Sequence, residues 1–194
     1  MRIQRSLLRA AGRRGAFLAT AALLTAAGCA SSKTLGSSLD DFTASQTVRT
    51  NLFADRQHDY GDIDITMYEG RLMLTGTMRT EDGRQRLVSR AWKADNVRQV
   101  VDEIVVSQKT RFGQGLADTR IDQSVKSKLL GDRGVTSGDF KLAVSNGVVF
   151  ILGVARDQIE LDRVLNHARS TSGVKKVVSH VIYQDDPARL SAYR

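Results

Sequence analysis

Apolar side chains recur in two rhythms along this chain, and the rhythms change in the same order twice. Ala44, Val48 and Leu52 stand four residues apart, as do Ile121, Val125 and Leu129, which predicts a short helix with one buried face in each half. Alternation follows. Ile63, Ile65 and Met67 run up to Glu69-Gly70, with Leu72 and Leu74 beyond it; Phe140, Leu142 and Val144 run up to Asn146-Gly147, with Val149 and Ile151 beyond. Two alternating runs broken by a pair that ends in glycine predict a β-hairpin, because the turn needs positive φ, which glycine adopts without steric penalty. A second helix with Leu87, Val88 and Ala91, or Val164, Leu165 and Ala168, comes next. The β-branched strands VRQVVDEIVV and VKKVVSHVIY close the halves. The predicted order is helix, strand, strand, helix, strand, with a right-handed crossover between the last two strands.

The halves match in a single register. EGRLMLTG at residues 69–76 returns as NGVVFILG at 146–153, so that Gly70 and Gly76 recur as Gly147 and Gly153, 77 residues on. Gln46 and Gln123, Leu52 and Leu129, Asp55 and Asp132, Arg79 and Arg156, and Ala91 and Ala168 agree at the same offset. Such agreement without a gap identifies a duplicated module of about 70 residues, near the lower limit for independent folding. Two small α+β domains are expected, at 41–107 and 118–183, each a three-stranded mixed sheet packed on two helices, with their cores leaning on each other. Residues 108–117 read as a linker, given freedom by Gly113 and Gly115. Residues 184–194 hold the single proline and no pattern, and read as a flexible tail. Trp92, whose counterpart is Arg169, reads as a boundary residue at the seam between the domains.

Composition changes the picture mainly at the N-terminus. The 194 residues are 41% hydrophobic and 26% charged, as suits a globular protein. The first 28 residues carry five arginines, no acid and the apolar run AFLATAALLTAA, which reads as an export signal too short to remain as a spanning helix. That run ends in AAGC, whose Cys29 is the chain's one cysteine. The segment resembles bacterial lipoprotein signals, and the resemblance implies that residues 1–28 are removed, that Cys29 is lipidated, and that 29–40 form a tether. Several acyl chains, palmitate among them, would hold the protein at a membrane stably. Ala30 and Ser31 after the cysteine, with no aspartate, imply outer-membrane sorting. The plainer alternative is a secretory signal with a chance cysteine. Five of the eight net positive charges belong to the signal, which removes most of the case for a nucleic-acid partner.

The glycine-bounded hairpins (Gly70, Gly76; Gly147, Gly153), the helix alanines (Ala91; Ala168) and the closing pattern of Gly173, Val174 and Val177 resemble the BON domain. A lipoprotein signal followed by two such units resembles the dual-BON-domain lipoproteins of Gram-negative envelopes. The likeness covers roughly residues 41–183. It implies a lipoprotein on the periplasmic face of the outer membrane, one that supports membrane integrity and engages anionic phospholipid through its second domain. Asn96 stands where the second copy has Gly173, a change that asparagine's tolerance of the left-handed region makes harmless.

Catalytic chemistry is not legible. Gly70 and Gly76 are followed by Thr77 with no lysine, which excludes a phosphate loop. His58, His167 and His180 lack ligand spacing, and Asp62 with Asp64 reads as a solvated pair flanking a strand. The chain therefore reads as non-enzymatic, with no catalytic residue, cofactor or metal. Charge is more informative. Residues 40–106 carry nine basic and twelve acidic side chains, whereas residues 107–194 carry fourteen and nine. On the basic half, the helix DTRIDQSVKSKLL at 118–130 turns Arg120, Lys126 and Leu130 away from its core stripe and sets Lys128 at its flank. These residues with Arg133 are the expected phospholipid contacts, although Leu130 also fits a core position at the helix end. The alternative is an adaptor that binds envelope proteins and meets the membrane only through its anchor.

Overall fold

The structure is a computed structural model that describes residues 46, 47, 50, 62–108, 114–187 and 189. Cys29, the signal and most of the first expected helix, including Ala44, Val48 and Leu52, lie outside the described residues.

From the hairpin onward the predicted element order is present in both copies. In the first, β1 (Ile63–Tyr68) and β2 (Arg71–Met78) form an antiparallel hairpin, α1 (Glu81–Ala91) crosses over, and β3 (Gln99–Val106) pairs parallel to β2. The second begins with α2 (Gln114–Gly131). After one turn of 3-10 helix it continues through β4 (Phe140–Ser145), β5 (Val148–Ala155), α3 (Gln158–Arg169) and β6 (Lys176–Tyr183). Each half is a mixed three-stranded sheet with β2 or β5 at its centre. The hairpins turn through two successive left-handed residues, Glu69 and Gly70 at φ 48° and 73°, Asn146 and Gly147 at 55° and 78°. That turn matches the twist of the flanking strands. Gly76 and Gly153 serve a second need: a Cβ there would lie 2.1 Å from the Asp62 carbonyl oxygen and 2.2 Å from that of Asp139. Asn96, at φ 63°, adopts the left-handed form of Gly173 as expected.

Two cores are built as the periodicity predicts. Ile65, Met67, Leu72 and Leu74 pack under Leu87 and Ala91 of α1, and Leu142, Val149 and Ile151 pack under Ile121, Val125 and Leu129 of α2 and Val164 and Ala168 of α3. A third core joins them. Tyr68, Met73, Ala143, Phe150, Leu152 and Val154 form one buried cluster from both sheets. The sheets therefore pack face to face, with helices on the outside, and the central strands β2 and β5 are buried on both faces. The expected leaning of two cores is a dry sheet-to-sheet seam.

Polar contacts fix the seam. The Arg71 guanidinium donates to the His180 carbonyl at 2.7 Å and the Gly153 carbonyl at 3.3 Å. The Tyr68 hydroxyl donates to Asp139 at 3.0 Å. Glu103 and His180, which occupy the same position of the repeat, meet at 2.8 Å, as elements do across a two-fold axis. Arg189, in the stretch read as a flexible tail, binds the buried Glu69 carboxylate through two nitrogens at 2.8 and 3.1 Å. Trp92 is not at the seam. It caps the C-terminus of α1, on the helical side of its sheet, and is 53% exposed.

Candidate functional site

The second-domain helix proposed from sequence is present and longer than its apolar stripe required. α2 begins at Gln114, inside the stretch read as linker, and runs 18 residues. Ile121, Val125 and Leu129 turn into the core as their spacing demands. At its start, the Asp118 carboxylate accepts the backbone N–H groups of Asn146 and Gly147, both at 2.8 Å. One aspartate thus ties the helix to the hairpin turn. The same spacing that exposes Gly147 to positive φ leaves its amide in need of this acceptor. Asp41 stands at the equivalent position of the first copy, so the repeat itself carried the signal that sequence reasoning missed.

The face opposite the core is exposed along its length. Leu116, Arg120, Gln123, Ser127 and Leu130 fall on it, and the two leucines are 73% and 74% exposed, more than any other large apolar side chain among the described residues. Leu130 does not pack at the helix end, since Gly131 and Asp132 turn the chain away after it and Val135 fills the core instead. Leu116 was hidden from sequence reasoning by the assignment of residues 108–117 to a linker. Arg133 is exposed just beyond the helix.

The two lysines are differently placed. Lys126 binds Asp122 one turn back at 2.7 Å. Lys128 reaches the C-terminus of α3, donating to the Ser170 carbonyl at 3.1 Å and its hydroxyl at 3.3 Å, where a cation complements the helix dipole. Of the five proposed contacts, the structure gathers Arg120, Leu130 and Arg133 on or beside one free surface. It commits Lys126 and Lys128 to intramolecular partners.

Supporting polar groups hold the helix against α3. Asp132 accepts from His167 at 2.8 Å and from the Gly134 N–H at 2.8 Å, and these bonds keep its carboxyl below the usual range. Glu160 is 1% exposed. Burial pushes its carboxyl up, but the Arg156 guanidinium at 3.0 Å and the N–H groups of Arg156 and Thr136 outweigh that cost and hold it below the usual range. Beside α2, between the domains, lies a cleft of about 420 Å³. Asp62, Asp64 and Thr75 of the first domain line it with Asp118, Asp122, Lys126 and Ser145 of the second. Among the described residues no three His, Cys, Asp or Glu side chains converge as metal ligands.

Comparison with known proteins covers about three quarters of the chain. An outer membrane lipoprotein of Haemophilus influenzae, DolP, is 32% identical over 154 residues, 79% of this chain and 79% of that one. A 21 kDa hemolysin of Actinobacillus pleuropneumoniae is 29% identical over 152 residues, 78% of each chain. A protein of the gshII 5' region of Anaplasma centrale is 30% identical over 145 residues, 74% of this chain and 94% of its own. The BON domain model matches residues 40–108 and again residues 117–185, each match enclosing one of the two sheets. The chain belongs to the BON-domain family and carries two such domains in tandem.

Proposed function

We propose that this protein is a non-enzymatic lipoprotein of the outer membrane, anchored on its periplasmic face through Cys29, whose second domain docks on anionic phospholipid and supports membrane integrity. The observation that carries the docking is the outer face of α2. Leu116 and Leu130 stand 14 residues apart, roughly 21 Å along a helix at 1.5 Å per residue, with Arg120 between them on the same stripe. A helix with apolar side chains at both ends of an otherwise polar, cationic face suits a position in the interfacial plane of a bilayer. Each cation near an anionic surface adds about 1 kcal/mol, and burial of a leucine adds up to about 1.5–3 kcal/mol. The outer membrane and the lipid anchor draw support from the AAGC segment and from the relative named as an outer membrane lipoprotein.

The test uses residues 29–194 with Cys29→Ser, so that no acyl chain is attached, and vesicles of phosphatidylglycerol or phosphatidylcholine. Binding is expected to the anionic vesicles alone and to weaken with salt. Arg120→Glu with Leu130→Ser should weaken it at least about tenfold. Binding that survives this change unaltered sinks the proposed face. The second reading, a protein adaptor, draws on Trp92 and on the edge strand β3, whose Val105 and Val106 are exposed. Envelope proteins captured through Trp92, with no affinity for either vesicle, would favour it.

A further inference from the structure

Where the seam opens into the cleft its walls are polar, and the repeat shows that they need not have been. Thr75 corresponds to Leu152, and Ser145 to Tyr68. Leu152 and Tyr68 belong to the dry cluster between the sheets, whereas Thr75 and Ser145 line the cleft. Thr75 lies on the central strand β2. Leu72 and Leu74 take the helix-covered face of that strand, so the Thr75 side chain shares the other face with Met73 and points toward the second sheet. The residue is 1% exposed, and its hydroxyl makes no hydrogen bond among the described residues. A buried hydroxyl without a partner is costly, and on a cleft wall that partner can come from the cleft.

Asp62 stands beside it. The register sets Thr75 opposite Asp64, and Asp62 lies two residues back on the same face, a diagonal neighbour at roughly 7–8 Å between Cα atoms. The Asp62 carboxylate is exposed and forms no ion pair or hydrogen bond among the described residues. The one cation in the cleft lining is Lys126, and Asp122 binds it at 2.7 Å. No cation of the lining is left for Asp62, so an added positive charge is favoured there. On the second-domain wall Ala143, a member of the seam cluster, supplies an apolar surface.

We propose that the cleft binds a small organic amine, whose ammonium group donates to the Asp62 carboxylate and the Thr75 hydroxyl while its methylene groups lie along Ala143. A primary ammonium joins a compact charge to three N–H donors, which is what a carboxylate and an unpartnered hydroxyl on one wall can use together. A neutral alcohol lacks the charge, and a quaternary ammonium lacks the donors. The cleft volume of about 420 Å³ falls near the lower end of ligand pockets, roughly 300–1,000 Å³, as suits a small amine. That ammonium is carried by a free alkylamine or by the ethanolamine headgroup of a phospholipid. The site is distinct from the outer face of α2, so it does not depend on the docking of that face.

The experiment titrates residues 29–194 carrying Cys29→Ser with ethanolamine, ethylene glycol and tetramethylammonium, and follows the amide NMR signals of Thr75 and Gly76. Ethanolamine should shift them saturably, and the other two should not. Asp62→Asn and Thr75→Val, which keep the shape of each side chain, should each weaken ethanolamine at least about fivefold. Ser145→Tyr, which sets the phenol of the closed side in the cleft, should abolish binding. Asp95→Asn, an equal charge change outside the cleft lining, should leave affinity within about twofold. Vesicles of phosphatidylcholine with and without phosphatidylethanolamine separate the sources. Sedimentation of the protein only with phosphatidylethanolamine, lost on Ser145→Tyr, identifies the headgroup, and a response to ethanolamine without such sedimentation identifies a free amine. An equal response to ethylene glycol overturns the assignment to an ammonium group. Undiminished binding in both Asp62→Asn and Thr75→Val overturns the site, and so does the absence of any response to ethanolamine and to phosphatidylethanolamine.

Discussion

Tyr68 and Ser145 occupy the same position of the repeat, at the end of the first hairpin strand, and Asp62 and Asp139 likewise correspond. On one side of the seam Tyr68 crosses between the sheets, is fully buried, and donates to Asp139 at 3.0 Å. On the other side the reciprocal pair is Ser145 and Asp62, and there the cleft of about 420 Å³ opens. A pseudo-symmetric interface is thus closed on one side by an aromatic ring and left open on the other by a much smaller side chain. Duplication supplied two equivalent edges, and substitution of one side chain made them different. The closed edge binds the domains into one unit. The open edge places first-domain carboxylates beside the helix that carries the proposed function.

Breaking the closed edge should have the largest effect. Tyr68→Ser would open a matching cavity and leave Asp139 without its phenolic donor, and loss of a buried aromatic costs about 3–5 kcal/mol. Urea unfolding followed by circular dichroism should show that loss. A first transition that precedes the second would show that the seam holds the copies together as one cooperative unit. Loss of less than about 1 kcal/mol would mean that Tyr68 is dispensable to the seam.

The next effect is confined to the second copy. Glu160 corresponds to Gly83, so the first copy has no equivalent of this buried carboxylate. Glu160→Gln removes its charge from three donors and should cost about 2 kcal/mol near neutral pH. The folded pKa lies below the unfolded one, so the carboxylate's contribution is present above the ordinary glutamate range and is lost as pH falls through the folded value. The difference between wild type and variant should therefore shrink on acidification. A difference that stays constant from neutral pH to well below the glutamate range would refute this account. Asp118→Ala, which frees the amides of Asn146 and Gly147, should cost about 1–2 kcal/mol and speed hydrogen exchange at that turn.

Much of this was legible in the residues and some was not, for reasons that can be named. The hairpins, crossover helices and parallel third strands followed from Glu69-Gly70, Asn146-Gly147 and the period of the apolar positions, because local backbone needs and one-sided burial write themselves into adjacent residues. The seam is expected from sequence only as two cores leaning on each other, and its sheet-to-sheet form goes unread although its signal is present. VVFILGVA is apolar at every position and RLMLTGTM through its Leu-Met-Leu run, which marks strands buried on both faces, but the alternation of Leu72 and Leu74 alone does not bring in Met73, Phe150 and Leu152. The exposed stripe of α2 was half legible. Arg120 and Leu130 followed from the helical period, whereas Leu116 lay beyond the last core residue, where no buried position announces a helix. The pairing of Lys126 with Asp122 was readable as a four-residue spacing. That of Lys128 with Ser170 was not, because it joins elements 42 residues apart.

The smallest effect gives the sharpest test of the symmetry itself. Ser145→Tyr places a phenol at the open edge, where the reciprocal of the Tyr68–Asp139 bond predicts that it will cross the cleft toward Asp62. The space is already there, so overpacking should be slight and the change in stability within about 1 kcal/mol of zero. A double-mutant cycle with Asp62→Asn isolates the new bond from that background, and a coupling of about 0.5–1.5 kcal/mol is expected if the phenol finds the carboxylate. The same substitution fills the space through which the cleft carboxylates face α2. Coupling indistinguishable from zero would mean that Asp62 and Asp139 are equivalent in the repeat but not in the seam, and the open edge would then owe its shape to more than the loss of one aromatic ring.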